Sequence, residues 1–322
     1  MEATSRRADW MYRGKLGLTT HYFPRRLEEV DRLAEQLDVR RIADQCGQVG
    51  AAWFLLTVHH QAWLMLAPND TYDRIIATAD HTTERDVPAE LAEALAPHDC
   101  RLMLYVNLRL DPDGACPANV REAMGGWPPD DRLIDNVAAV YRDFSLRYGR
   151  RVAGWWVDGA WIQAYKGLPV EQRERWFAAI AEGLRAGNED AVVAFNPGVK
   201  DAMMRYSRQN DYLAGEANDL IDPPVERFLD GAQWHAWTYL GPWWGSGGVR
   251  FDDDRLRAWA RDVIAGGGVI SFEVGTRGLI RTGRHDKDPA RDGPVGAIDP
   301  RQVAQAETVA DAIRNIPRPQ GD

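Results

Sequence analysis

The chain has 322 residues, 45% of them hydrophobic and 27% charged, with a formal net charge of −9. That composition is globular, and its acidic balance excludes a surface for nucleic acid or anionic membrane, because either needs concentrated Lys and Arg. No apolar run reaches the length of a bilayer span. Cys46, Cys100 and Cys116 are the only cysteines and have no CxxC spacing. An odd, sparse count predicts reduced thiols, and the polar start MEATSRRADWMYRGK lacks the apolar stretch of a secretory signal. The expected location is therefore cytoplasmic.

Short apolar runs alternate with amphipathic stretches along the chain. Strands are predicted near Lys15–Thr20, Ala51–Val58, Arg101–Leu108 and Val152–Val157, then near Ala191–Asn196, Tyr212–Gly215, Ala232–Leu240 and Val269–Val274. Most are near-continuous apolar runs, as expected of strands covered on both faces by helices. The intervening segments RRIADQCGQVG, PAELAEALAPHDC, DDRLIDNVAAVYRDFSLRYG, EQRERWFAAIAEGLRAGN and DDDRLRAWARDVIAGGG have apolar residues at helical spacing. So does DPRQVAQAETVADAIRN, and several carry Asp or Pro start signals or Gly stops. Eight strands with this alternation predict an α/β fold of the (β/α)8 TIM barrel type. A doubly wound open sheet is the alternative, but no G-x-G-x-x-G follows the first strand. The polar, Gly- and Pro-rich segment Gly283–Pro300 is predicted to be a loop. Only about twenty residues follow Asp299, so residues 1–322 are expected to form one catalytic barrel without a C-terminal β-sandwich domain.

In a parallel barrel the chemistry sits at the C-terminal ends of the strands. That rule selects His21 after the first strand, then His59, His60, Gln61 and Trp63 after the second. Asn107 and Arg109 follow the third, Asp158 ends the fourth, and Asn196 ends the fifth. Glu216 follows the sixth, the seventh carries Trp234, His235 and Trp237, and the eighth ends at Glu273. Four histidines, three carboxylates and several tryptophans thus converge on one end. Carboxylates beside tryptophans suit carbohydrate, since indole faces stack on sugar C–H faces and carboxyls serve as acid, base or nucleophile. The expected partner is a carbohydrate or glycoside, with no cofactor and no metal, and a homo-oligomer is left open. A metal held by His21, one of His59 and His60, Asp158 and His235 is the competing reading. Adjacent His59 and His60 chelate poorly from a strand, whose successive side chains face opposite ways; the same alternation sends one of them inward and splits Trp155 from Trp156.

These segments resemble the α-L-fucosidase family of glycoside hydrolases. EQLDVRRIADQCGQVGAAWFLLTVHHQAW is similar to the family segment that ends the second strand in KHHDGF, and RDVPAELAEALAPHDCRLMLYVN to the one that follows. GWWVDG resembles the family's W.DG strand, NDYLAGE its D(F/Y)…E segment, AGGGVISFEVG its KGGN.LLN.GP, and KLGLTTHYFP its KFGIF.HWGP. The likeness runs collinearly from about residue 15 to 316. It implies Asp158 as nucleophile and Glu216 as acid/base in a retaining hydrolysis, with Glu273 as the rival acid/base. It also implies that His21, His59 and His60 hold sugar hydroxyls, with Trp156 in the pocket wall; Trp63, Asn107, Asn196, His235, Trp237 and Glu273 complete the expected substrate-binding set. Departures accompany the likeness. The family's Lys and Asp of KHHDGF are Val58 and Gln61 here, and its arginine after the fifth strand has no counterpart in FNPGVK, where Arg205 or Lys200 is the candidate replacement. The last-strand Asn is Glu273, and a segment after HYFP bearing a pocket Trp-Tyr is missing. Two alternatives stand beside the glycosidase reading: a non-hydrolytic sugar-binding or biosynthetic-pathway relative on the same barrel, and a metal-dependent hydrolase using the strand-end histidines.

Overall fold

The structure, a computed structural model, describes residues 6–276 and 295–317. Seven parallel strands curl into one sheet: β1 (Leu16–Thr20), β2 (Trp53–Thr57), β3 (Arg101–Asn107), β4 (Val152–Asp158), β5 (Val192–Phe195), β8 (His235–Tyr239) and β9 (Val269–Glu273). Their order around the sheet is β5-β4-β3-β2-β1-β9-β8, and β6 (Phe228–Leu229) pairs antiparallel with β7 (Ala232–Gln233) in a separate ribbon. The fold is the expected α/β barrel, with one of its eight positions irregular.

That position is the predicted strand Tyr212–Gly215. Single parallel bridges join Tyr212 to Gln233 and Glu216 to Trp237. Asp211 N donates to Val193 O on one side, and Trp237 N donates to Gly215 O on the other, so residues 211–217 still close the gap between β5 and β8. Gly215 breaks the regular ladder: its φ is +74°, and a β-carbon there would lie 2.3 Å from the His235 carbonyl oxygen. The predicted strand Ala232–Leu240 is also corrected. Its first residues form the ribbon, and the barrel strand starts only at His235.

Helices Val39–Val49, Val87–Leu95, Asp131–Tyr148, Val170–Arg185, Asp253–Ala265 and Pro300–Arg314 match the predicted stretches. Asp38, Asp86, Asp130, Asp252 and Asp299 each cap a helix start by accepting a backbone N–H. The pattern gave no warning of Asp9–Gly14, Leu27–Gln36, Asp70–Ile76, Ala118–Met124 or Gln163–Lys166. The loop expected over Gly283–Pro300 lies outside the described residues as far as position 294. Among the described residues no helix is long and apolar enough to cross a membrane.

Two apolar cores follow from strand alternation. Trp155 packs with the helix layer, whereas Trp53, Met103, Tyr105, Trp156, Tyr212 and Trp237 fill the barrel, closed below by Ala8 and Met11. The first strand is tied to the last helix through Lys15, whose Nζ donates to the carbonyls of Ile313, Arg314 and Ile316 at 2.9, 2.9 and 3.0 Å. These carbonyls lie at and just past the end of the helix Pro300–Arg314, where intrahelical donors run out. Lys15→Met is expected to lower stability by about 1–2 kcal/mol, read as a lower denaturant midpoint at unchanged slope.

Candidate active site

Asp158 is the last residue of β4, and its register partner on β3 is Asn107. Side chains in register on adjacent strands share a face, and so does Tyr105, two residues earlier. Tyr105 Oη donates to Asp158 Oδ2 at 2.5 Å and Asn107 Nδ2 donates to the same oxygen at 3.0 Å. Oδ1 accepts from Asn196 Nδ2 at 2.9 Å and from Trp161 Nε1 at 3.1 Å. Four neutral donors thus fix a carboxylate only 8% exposed. The glycine after it is required: Gly159 has φ +76°, and a β-carbon would lie 2.9 Å from Arg109 N and 3.0 Å from Asn107 Oδ1. Burial works against ionisation of Asp158. The His60 ring, the Tyr105 and Asn196 donors and the Gly159 N–H outweigh it, so its proton affinity falls below the ordinary aspartate value.

Glu216 lies across the same cavity. Asn196 Nδ2, which reaches Asp158, also donates to Glu216 Oε2 at 2.8 Å. The two carboxyls therefore share one amide nitrogen, but their environments drive them apart. Burial and the negative charges of Asp158 and Glu273 push Glu216 up to about 7, against the opposing pull of Asn196 and His21. One carboxyl is held ionised and its neighbour keeps its proton near neutrality, the division of labour acid–nucleophile pairs need.

Glu273, at the end of β9, braces a third group. It accepts from His21 N at 2.7 Å and from Thr19 Oγ1 at 2.5 Å, and its Oε1 lies 3.1 Å from His21 Nδ1. The His21 ring is sandwiched between Trp237, 4.8 Å between centroids, and Phe23, 5.2 Å. Burial disfavours charge on His21, yet the carboxylates of Glu273, Glu216 and Asp158 raise its proton affinity above the ordinary histidine value. Stability from this pair is complete below the unfolded histidine pKa and is lost as pH rises through the higher folded value. Glu273→Gln is expected to cost about 3 kcal/mol at pH 5.5, and the deficit should shrink at pH 9. A pH-independent deficit in denaturant unfolding would mean that the two side chains are not a charged pair.

The cavity above these groups measures about 570 Å³. His21, His60, Tyr105, Asp158 and Glu216 form its inner wall, and Phe23, Gln61, Trp161, Trp243, Trp244 and the 197–200 loop its mouth, joined by Lys166. The GPWWG segment, Gly241–Gly245, thus contributes both of its tryptophans to the cavity.

Of the residues chosen from sequence, Asn107, Asn196 and Glu273 stand behind the wall as hydrogen-bond partners. Trp156 and Trp237 lie beneath it: Trp156 stacks under Tyr105 at 5.2 Å and gives its Nε1 proton to Ala214 O. His59 and Trp63 point away from the cavity into the helix layer. The His59 ring is 4.5 Å from Trp63 and 3.3 Å from the Tyr141 hydroxyl, and burial pushes its pKa down to about 3. Trp53 and Leu55 of β2 face the barrel while Phe54, Leu56 and Val58 face the helices, so continued alternation would send His59 inward. The strand ends at Thr57, and the turn that follows gives His60 to the cavity and His59 to the helix layer instead. His235 starts its strand, at the opposite end of the barrel. Its two ring nitrogens reach Leu213 O and Ser271 Oγ, both at 2.9 Å, and burial pushes its pKa down to about 4. Its place follows from register, with His235 opposite Val269 and Tyr239 opposite Glu273. Among the described residues no group of three or more His, Cys, Asp or Glu side chains could hold a metal ion. Tyr105, Phe23 and Trp161 were not selected from sequence; Tyr105 could have been, since it shares Asn107's face of β3.

No family model matches the chain, and no curated protein matches its sequence. Among solved structures it is similar in fold to the endo-fucoidan hydrolase MfFcnA4 of glycoside hydrolase family 107, with TM-score 0.73 and 17% identity. That likeness covers 95% of this chain and 53% of the other, so the chain spans about half that protein's length. The endo-fucoidan hydrolase P5AFcnA of the same family gives TM-score 0.67 at 15% identity, covering 99% of this chain and 96% of that one. An α-L-fucosidase from Bacteroides thetaiotaomicron, solved as a trapped covalent intermediate in complex with 2-fluoro-fucosyl fluoride, gives 0.64 at 14%, with 98% and 76% covered. At such identities the likeness is one of fold.

Proposed function

We propose that the protein is a retaining glycoside hydrolase of the α-L-fucosidase type. The observation that carries this reading is the Asn196 amide placed between Asp158 and Glu216, two carboxyls with opposite proton preferences. Bonds of 2.9 and 2.8 Å to one nitrogen hold the nearest oxygens within the sum of those distances. That favours the close spacing of retaining enzymes, about 5–5.5 Å, over the roughly 6.5–9.5 Å that inverting enzymes need for a water.

In the first step an Asp158 oxygen attacks the anomeric carbon and forms an ester. The bond to the leaving oxygen breaks, its electron pair stays on that oxygen, and Glu216 supplies the proton. In the second step a water gives its proton to Glu216 while its oxygen attacks the same carbon and expels Asp158. Two inversions give net retention. Tyr105, Asn107, Asn196 and Trp161 hold the nucleophile, and His60 and His21 offer ring N–H groups to sugar hydroxyls. Trp244 and Phe23 supply apolar walls for sugar C–H faces.

The test is a panel of activated aryl glycosides, with α-L-fucosides first because the fold is shared with an α-L-fucosidase and with fucoidan hydrolases. Turnover with retained anomeric configuration is the expected result, together with a 2-fluoro-glycosyl adduct located at Asp158 by peptide mass. Sugar binding without turnover of any member would replace hydrolysis by a sugar-binding role.

A further inference from the structure

The chain has only four lysines, at positions 15, 166, 200 and 287, against 35 arginines. Lys15 is consumed at a helix end. Lys166 and Lys200 both line the active-site cavity, although they come from different segments, Lys166 from the end of the short helix after β4 and Lys200 from the loop after β5. Both are exposed. Neither makes an ion pair or a side-chain hydrogen bond among the described residues, in a chain whose acidic side chains outnumber its basic ones by 48 to 39.

Their position gives the reason. Lys200 N donates to the backbone carbonyl of Glu216 at 3.3 Å, so its loop is anchored to the proton donor and borders the leaving-group side of the cavity. Trp161 stands between that loop and Asp158. Its Nε1 is fixed on Asp158, the Arg109 guanidinium lies 5.4 Å from its ring, and it is 37% exposed. Neither lysine is among the main influences on the catalytic carboxyls: Asp158 is set by burial, His60, Tyr105, Asn196 and the Gly159 N–H, and Glu216 by burial, Asp158, Asn196, His21 and Glu273. Two flexible ammonium groups lining one cavity with an exposed indole make a place for a ring that carries negative charge.

We infer that Lys166, Lys200 and Trp161 form a leaving-group subsite for an anionic aglycone, a sugar or aryl group bearing a carboxylate or sulfate-type oxyanion. The inference rests on the hydrolase reading above and deepens it: the cavity floor handles the glycone, and the lysine-bearing mouth selects the group expelled. Long-range attraction from the two lysines, in a cavity mouth open to solvent, acts on encounter and binding and is screened by salt.

The experiment compares three 4-nitrophenyl glycosides of whichever sugar the panel identifies: the neutral compound and its 3-carboxy and 3-sulfo derivatives. At low ionic strength the charged compounds are expected to have kcat/KM about five- to tenfold above the neutral one. That advantage should fall below about twofold at 0.5 M NaCl and vanish in the K166Q/K200Q variant. Preference for the carboxylate alone or the sulfonate alone identifies the natural substituent; preference for both identifies a general oxyanion site. Equal kcat/KM for charged and neutral compounds, or an advantage that survives in K166Q/K200Q, overturns the inference. If nothing is turned over, the hydrolase reading fails separately. Calorimetric binding of the same three compounds then decides: anion preference lost in K166Q/K200Q keeps the subsite, and equal binding removes it.

Discussion

Asp158→Asn should lower kcat/KM on the best aryl glycoside by on the order of 10⁴- to 10⁶-fold, the scale on which loss of a nucleophile is felt. The substitution is nearly isosteric, so the loss reports chemistry, not shape. It does have a structural cost. All four neighbours of Asp158, namely Tyr105, Asn107, Asn196 and Trp161, donate to it. Asparagine turns one acceptor into a donor, so the indole N–H or an amide N–H is left facing another N–H. Relief of a buried charge offsets part of that, and a net destabilisation of about 1–2 kcal/mol is expected. To separate the two effects, Asp158→Gly should be assayed with azide. If Asp158 is the nucleophile, azide restores turnover and yields a glycosyl azide of inverted configuration. A carboxylate that only braces Tyr105 and Trp161 gives no such product.

The parts of this arrangement readable in the sequence are those set by strand parity and strand ends. Asp158 ends an apolar run before a glycine, and its exposure to the cavity follows from that position. His21, Asn196 and Glu273 could be placed in the same way. Parity also predicted that His59 and His60 would diverge, but not which one would face inward: the phase of β2 points to His59, and the turn after Thr57 brings in His60 instead. His235 shows the same limit more sharply. AQWHAWTYL is one apolar run in sequence, yet its pairing with β9 starts at His235, which puts the ring at the barrel floor. A continuous apolar run carries no mark of its own register; the neighbouring strand supplies it. Trp63 was misplaced for a related reason, since residues after a strand end can turn back over the helices as readily as over the cavity. Phe23, Trp161 and Lys200 sit on loops and Lys166 ends a one-turn helix, where no periodicity points at anything.

The second large effect is pH dependence through Glu216. Its proton is held up to about 7 by burial first and by the Asp158 charge next. As the general acid it must be protonated, so kcat/KM should fall as pH rises through about 7, while protonation of Asp158 limits activity well on the acidic side. Glu216→Gln should abolish the basic limb and lower turnover of 4-nitrophenyl glycosides by about 10²- to 10⁴-fold, with a smaller loss for a 2,4-dinitrophenyl glycoside whose departure needs little proton assistance. His21, whose proton affinity is also raised, could generate a basic limb of its own. The variants separate the two: a limb carried by His21 persists in Glu216→Gln and disappears in His21→Gln. Stability provides an independent reading. Between the ordinary glutamate pKa and about 7 the folded protein keeps a proton that the unfolded chain has released, so Glu216 makes stability fall with rising pH across that window. Glu216→Gln should flatten that slope. Asp158→Asn should reduce it too, because removing the neighbouring negative charge lets Glu216 ionise at lower pH. A slope unchanged in both variants would show that the two carboxyls are not coupled, and the retaining mechanism would lose its proton donor.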